Sequence, residues 1–364
     1  MALIAPKTSG RIWRLVNVLG PFFGLILVVS LISVFLYVQD VRLEMEFEGA
    51  SGWKAFVETA RSLEFDGEDA YPGLKAFLSG ANFKIIFIQT VIVAIGALGM
   101  TMIIVSGGID LSVGSVVALT SVVGATLLVK DYSTPATILL TVLAGGGIGL
   151  INGLTIANLR MVPFIVTLGM MGIARGLAKW MAGNQTVNSP DSAVNNIMAM
   201  NEPTQFFPLP AGVWIAAGLA IAMAVVMRQT VFGRHIFAIG SNEGAARLCG
   251  IRVRFQKVLI YSLAGLFFGL SGLMQLSRLT QGDPTVAIGL ELDIIAAVVI
   301  GGASLSGGTG SILGSMIGAL IMAVLRNGSN QMGWPNYMQE MIIGVVIILA
   351  VGLDRFRQQR SASA

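Results

Sequence analysis

The residues of this chain equipped for chemistry are few, and the most notable ones stand in two blocks of glycine. Asp110 is the one charged residue in the run 85–129, inside Gly107-Gly108-Ile109-Asp110-Leu111-Ser112-Val113-Gly114. A carboxylate in so apolar a run is costly and ordinarily has a task. It either meets a passing solute or ion, or it caps the helix that begins there by accepting free N–H groups, a role open to Ser112 as well. A second block, Gly301-Gly302-Ala303-Ser304-Leu305-Ser306-Gly307-Gly308, repeats the order Gly-Gly-x-x-Leu-Ser-x-Gly 194 residues later. There Ser304 and Ser306 replace Asp110 and Ser112, which favours capping over proton coupling. Asp293 stands just ahead of the apolar arm that leads into this second block.

Several chemistries are excluded by the same inventory. A phosphate-binding P-loop needs Lys-Ser/Thr after its glycines, and neither block has one. One cysteine, Cys249, allows no internal disulfide and no multi-cysteine metal site. One histidine, His235, leaves little room for zinc, haem or a Ser-His-Asp arrangement, and no His-Glu-x-x-His occurs. We therefore expect no catalytic residue, no metal and no cofactor in this chain, and no ATPase site of its own.

The elements that hold these blocks are membrane helices. The chain has 364 residues, 55% hydrophobic and 12% charged, with a mean hydropathy of +0.80, whereas soluble domains carry about 25% charged residues. A helix of about 20 residues crosses a hydrocarbon core of roughly 30 Å. Leu15–Gln39 gives a first span, too long for the apolar part of a cleavable signal peptide, which is about 7–15 residues. Residues 85–129 cross twice, and 132–159, 161–180, 203–227 and 258–277 once each. Residues 294–325 cross twice, interrupted near the middle, and 338–353 close the set. The fold class expected is all-α, a polytopic bundle of about ten transmembrane helices with two glycine-rich broken-helix repeats. Paired interruptions in two halves of a transporter mark broken helices beside the substrate path. Backbone freed at that depth must be buried in protein or line a wet cavity. On this count both copies share one orientation, and one span more or fewer would make them inverted, so both arrangements stay open. Glycine makes up 45 of 364 residues, above the roughly 7% background. Most of it, as in Gly145-Gly146-Gly147 and Gly149, reads as close helix packing.

Charge sorts the loops. Residues 1–16, Arg160, the loop 228–257 and the tail with Arg355, Arg357 and Arg360 are basic, and 228–257 holds six Lys/Arg against Glu243. Segment 40–80 holds nine acids and four bases. Basic loops remain cytoplasmic, so both termini are expected inside a bacterial inner membrane. The domain plan is a cytoplasmic N-terminus (1–16), a permease domain (17–356) with an external insertion at 40–80 and a cytoplasmic loop at 228–257, and a cytoplasmic tail (357–364). Trp53, Phe56, Val57, Ala60 and Leu63 fall at helical spacing, an expected amphipathic helix on the external face. The basic residues divide between loops and form no patch for nucleic acid; their expected neighbour is membrane lipid.

Loop 228–257 contains Gly240-Ser241-Asn242-Glu243-Gly244-Ala245-Ala246-Arg247-Leu248-Cys249-Gly250-Ile251. Asn242 is placed to cap a short helix that Gly250 ends. This stretch resembles the coupling-helix segment of the ribose/xylose/galactose-type ABC permease family, which runs Gly-x-Asn-x-x-Ala-Ala-x-x-x-Gly-Ile. The block Gly107–Ser115, the stretch from Glu291 through Asp293 to Gly308, and the ending Gly344–Asp354 match that family in order, over roughly residues 80–356. The resemblance implies a permease working with a second permease subunit, a cytoplasmic ABC ATPase that uses the ATP, and a periplasmic binding protein that delivers a monosaccharide. It implies ATPase-coupling roles for Asn242, Glu243, Ala245, Ala246, Arg247 and Gly250, with Glu243 and Arg247 available to ion-pair with the ATPase. It implies a translocation path near Gly107, Gly108, Asp110, Ser112, Gly114, Asp293, Gly301, Gly302, Ser304 and Ser306. The alternative is an ion-coupled secondary transporter of a small polar solute that uses Asp110. Segment 40–80 is longer than the family's loop there.

Overall fold

The computed structural model describes residues 9–47, 51, 52, 55, 57, 59, 71–200 and 208–362. Among them each expected apolar segment is a helix. α1 (Ser9–Phe47) has 39 residues, about 58 Å at 1.5 Å per residue, and so extends well past a roughly 30 Å core. On that extension Asp40 accepts hydrogen bonds from the backbone N–H of Gly73 (3.1 Å) and Leu74 (2.9 Å), which anchors the start of the short α2 (Pro72–Leu78). Pro72 suits this position because the first helical N–H has no partner to lose. The amphipathic helix expected over Trp53, Phe56, Ala60 and Leu63 lies outside the described residues; Val57 is described as helical.

α3 (Gly80–Val105) is apolar all round and almost wholly buried from residue 88 to its end, so it forms the axis of the bundle. Its start is fixed by Ser79, whose hydroxyl accepts from Asn82 N–H at 3.1 Å. Against it pack α7 (Ala211–Gln229), α10 (Val253–Leu279), α11 (Leu290–Ile300) and α12 (Ile312–Gln331). α4 (Val113–Val129), α5 (Thr134–Leu159) and α6 (Pro163–Met181) pack on one another, α4 and α5 also on α10, and α13 (Asn336–Ala362) packs on α11. Exposed Phe22, Phe23, Leu139, Leu143 and Ile221 mark faces suited to lipid. Two polar contacts fasten α3 to α12. Asn82 and Asn327 exchange two amide hydrogen bonds (3.0 and 2.9 Å), and the hydroxyls of Thr101 and Ser315 meet at 2.7 Å.

α5 and α10 approach backbone to backbone. Gly145, Gly149 and Gly153 face Gly265, Gly269 and Val258 so closely that a side chain on any of these glycines would collide. This is small-residue packing as expected, although Gly147 faces open space. The eighth expected span differs in length. α11 has 11 residues, about 16 Å, half of a roughly 30 Å core. The remainder is irregular chain from Asp283 to Gly289, pinned by Arg175 of α6, which donates to the carbonyls of Pro284 (2.9 Å) and Val286 (2.6 Å). Two connecting helices, α8 (Val231–Ser241) and α9 (Glu243–Leu248), form an elbow at one end of the bundle. At the opposite end the two-residue strands β1 (Val187–Asn188) and β2 (Gln281–Gly282) pair antiparallel.

Candidate functional site

The two glycine blocks fold into the same device. α3 ends at Val105, after which Gly107 N–H bonds Ile104 O and Gly108 N–H bonds Ile103 O, both at 2.9 Å. α11 ends at Ile300, after which Gly302 N–H bonds Val299 O (2.9 Å) and Ala303 N–H bonds Val298 O (3.1 Å). Both are Schellman closures, which need a left-handed residue just past the helix. Gly107 (φ 85°) and Gly302 (φ 92°) supply it. The structural register is therefore one residue off the sequence match, since Gly107 corresponds to Gly302 and not to Gly301. Gly301 instead allows α12 to approach, its Cα lying against the backbone of Gly314.

Two turns follow, equivalent in form. Ser112 N–H donates to Asp110 Oδ1 at 2.8 Å, and Ser306 N–H donates to Ser304 Oγ at 3.2 Å. Asp110 thus fastens the turn ahead of α4. It does not accept from the first turn of that helix, and the Ser112 side chain makes no cap bond. Ser112 Oγ donates to Asp110 Oδ1 (2.6 Å), and Asn152 of α5 donates to both Ser112 Oγ (3.1 Å) and Asp110 Oδ2 (3.4 Å). Leu111 N–H bonds Thr167 Oγ1 of α6 at 3.1 Å. Asp110, Ser112 and Asn152 are buried. The carboxyl group thus accepts within a buried polar cluster, in which Asn152 Oδ1 has no hydrogen-bond partner among the described residues.

The two breaks meet each other at the elbow. The Val105 carbonyl, left over at the end of α3, accepts from Gly308 N–H at 2.9 Å. Gly107 Cα lies against Gly307 (φ 84°), and Gly240 of α8 presses on the Val105 carbonyl and on Gly308 N. Gly114 receives Ala287 O and the Glu291 carboxylate, so the entry to α11 also rests on the first repeat.

The elbow itself is built as its composition requires. Thr230 Oγ1 caps α8 by accepting from Gly233 N–H (3.2 Å), and Asn242 Oδ1 caps α9 by accepting from Ala245 N–H (2.9 Å). Gly250 (φ 84°) follows the end of α9. Ala246 is buried against Ile239 and Val253, whereas Gly244, Ala245, Arg247 and Leu248 are exposed, Leu248 to 91%. Glu243 bonds Lys257 (2.7 Å) and Arg247 (3.0 Å) of its own chain. The Lys257 hydrogen bond, helped by the positive charges of Lys257 and Arg247, holds the Glu243 carboxyl below the usual carboxylate range. Gln256 of α10 shares a hydrogen bond with His235 of α8 at 3.0 Å.

Asp293 lies elsewhere, at the floor of a cavity of about 310 Å³ between α3, α10, α11, α12 and the start of α13. Arg326 of α12 places Nε (2.7 Å) and Nη2 (2.6 Å) on the same oxygen, Asp293 Oδ2, and Oδ1 has no hydrogen-bond partner among the described residues. Gln339 donates to Asn330 Oδ1 at 2.7 Å. Exposed Asn330 and Asn336 put the mouth at the end opposite the elbow. The expected path residues therefore fall in two places. Gly107, Gly108, Gly301, Gly302, Ser304 and Ser306 belong to the breaks, with Asp110, Ser112 and Gly114 beside them, and Asp293 alone belongs to the cavity. Charge counting misses Arg326 and Arg278 because each stands at the edge of a charge-free run. Gln89, Gln275 and Gly240 carry no charge, and only their placement shows their use.

A bundle of broken helices closed onto a capped elbow defines a membrane transport subunit. Residues 82–351 match the family described as the permease component of a branched-chain amino acid transport system, and the chain belongs to that permease family. The ribose import permease RbsC of Bacillus subtilis strain 168 is 41% identical over 280 residues, covering 77% of this chain and 86% of that protein. RbsC of Escherichia coli K12 is 39% identical over 282 residues, 78% and 88% of the two chains. The galactose/methyl galactoside import permease MglC of Escherichia coli K12 is 37% identical over 300 residues, 78% and 89%. No solved structure matches this chain.

Proposed function

We propose that this chain is the membrane subunit of an ATP-driven importer that takes in a monosaccharide handed over by an external binding protein. The family and the sugar-importing relatives support this reading, as does the contact of Gly240 with both glycine breaks at once. The elbow is the cytoplasmic end, consistent with its basic residues, and the cavity mouth faces the binding protein. Two permease subunits form the path. A cytoplasmic ATPase seats on the exposed face of α9, where Gly244, Ala245 and Leu248 allow close approach. Glu243 is committed to Lys257, so its task is to hold α9 rigidly on α10, and Arg247 is the charge offered outward. When the ATPase pair closes, α9 moves as a unit with α8, Gly240 displaces both breaks, and α11 carries that shift to the cavity floor at Asp293.

An Ala245→Trp replacement tests this. Its side chain points to solvent, so the protein accumulates normally in the membrane, and sugar uptake by the complete importer is lost. Wild-type uptake would contradict the docking role of α9.

A further inference from the structure

We infer that the cavity above Asp293 is a monosaccharide-binding site within the permease itself, so that the sugar pauses there between the binding protein and the cell interior. The inference rests on the import reading above and adds a residence site to it.

Three observations carry it. The first is size: about 310 Å³ lies at the lower end of the roughly 300–1,000 Å³ typical of small-ligand pockets, suited to a single sugar ring. The second is chemistry. Gln89 and Gln275 line the cavity from α3 and α10, and neither has a hydrogen-bond partner among the described residues. Gln89 lies nine residues into α3, about 14 Å along its axis. Gln89 is half-buried, and both amides open onto the cavity, where an occupant can meet them. Each amide offers both a donor and an acceptor, as hydroxyls require. The Arg278 guanidinium, which also lines the cavity, adds donors. Asp293 and Arg326 already neutralise each other, so the floor presents hydrogen-bonding groups and no opposed pair of free charges. This favours a neutral polyol over a zwitterionic amino acid, which would have to break the ion pair to use it. Ile92, Val93 and Met322 supply apolar wall for the C–H face of a ring. The third observation is mechanical. Asp293 sits in the first turn of α11, and the far end of α11 is the break that reaches Gly240. One short helix therefore joins the occupant to the elbow.

The test uses the full-length chain in lipid nanodiscs, with saturation-transfer NMR reading binding of ribose, arabinose, galactose and leucine. At least one of the three sugars binds and leucine does not. Gln275→Leu and Gln89→Leu keep the thermal midpoint and weaken sugar binding roughly five- to tenfold each, as loss of one hydrogen bond implies. In the complete importer the same variants slow uptake, while the binding protein still stimulates ATP hydrolysis. ATP-driven sugar uptake with no binding to the permease, or with binding unchanged in both variants, overturns the site and leaves the import reading standing. Uptake of leucine with none of the three sugars overturns the import reading, and the site with it.

Discussion

Asp110 and Asp293 are both carboxylates in apolar surroundings, yet their partners separate them. Asp110 is met by neutral donors, two from Ser112 and one from Asn152, and Asp293 by a guanidinium. Asp110→Asn keeps a side-chain acceptor for the Ser112 N–H, so uptake should persist and keep its pH dependence. Asp110→Ala leaves that amide unpaired and should cost about 1–3 kcal/mol of stability, read as a lower thermal midpoint. Loss of transport in Asp110→Asn would instead favour ion coupling. Arg326→Ala leaves the buried Asp293 without its cation; because Arg326 is partly exposed the cost should stay below the roughly 3–5 kcal/mol of a fully buried pair, and most of it should return when Asp293→Leu and Arg326→Met are combined. At the elbow, the lowered Glu243 pKa means that its carboxylate stabilises the fold fully above the ordinary carboxylate range. That contribution disappears as pH falls through the lowered value. Exposure and salt keep it small, so the readout is local: the protection of α9 amides, relative to intrinsic exchange at each pH, should fall on acidification, and Glu243→Gln should remove that pH dependence. Asp110 was legible in the sequence because charge in an apolar run is conspicuous, and Asp293 because its stretch matches a family block. Gln89 and Gln275 were not, since an amide barely alters hydropathy, and Arg326 was hidden by standing one position past a charge-free run.

At the scale of elements, the two glycine blocks show how far pattern reaches. Their repetition located both breaks and the Ser-containing turns, but the matching letters misaligned the helix ends by one residue. What aligns them is the left-handed backbone after the helix, at Gly107 and Gly302, and that conformation is fixed by where each helix stops. The capped helix at 243–248 was readable from Asn242 and Gly250. The inward turn of Ala246 and the internal pairing of Glu243 were not, because both depend on how α8, α9 and α10 pack. Gly240 belongs with these: nothing in its neighbours' identities shows that two distant carbonyl and amide groups close on it. A side chain there has no space, and overpacking of this kind typically costs about 1–3 kcal/mol. Gly240→Val should therefore leave ATP hydrolysis by the docked ATPase largely intact while sugar uptake falls at least tenfold, a comparison made on one reconstituted preparation. Equal losses in both activities would place Gly240 in assembly and not in coupling.

For the whole molecule, the apolar runs read from the sequence correspond one by one to helices, because crossing a membrane leaves the backbone few alternatives. The half-length of α11 escaped notice because the apolar run continues through its break. Orientation has a simple handle in Cys249, the single cysteine, exposed at the end of α9. A membrane-impermeant maleimide should label it in inverted vesicles and not in intact spheroplasts, and a docked ATPase should protect it. The central claim, an importer subunit energised from outside its own sequence, is tested most directly by sugar uptake into proteoliposomes. These contain the permease, its ATPase and the binding protein, with ATP in the compartment that holds the ATPase. Uptake should require ATP and the ATPase and should survive collapse of proton and sodium gradients; uptake that proceeds without the ATPase and follows an ion gradient would contradict the account.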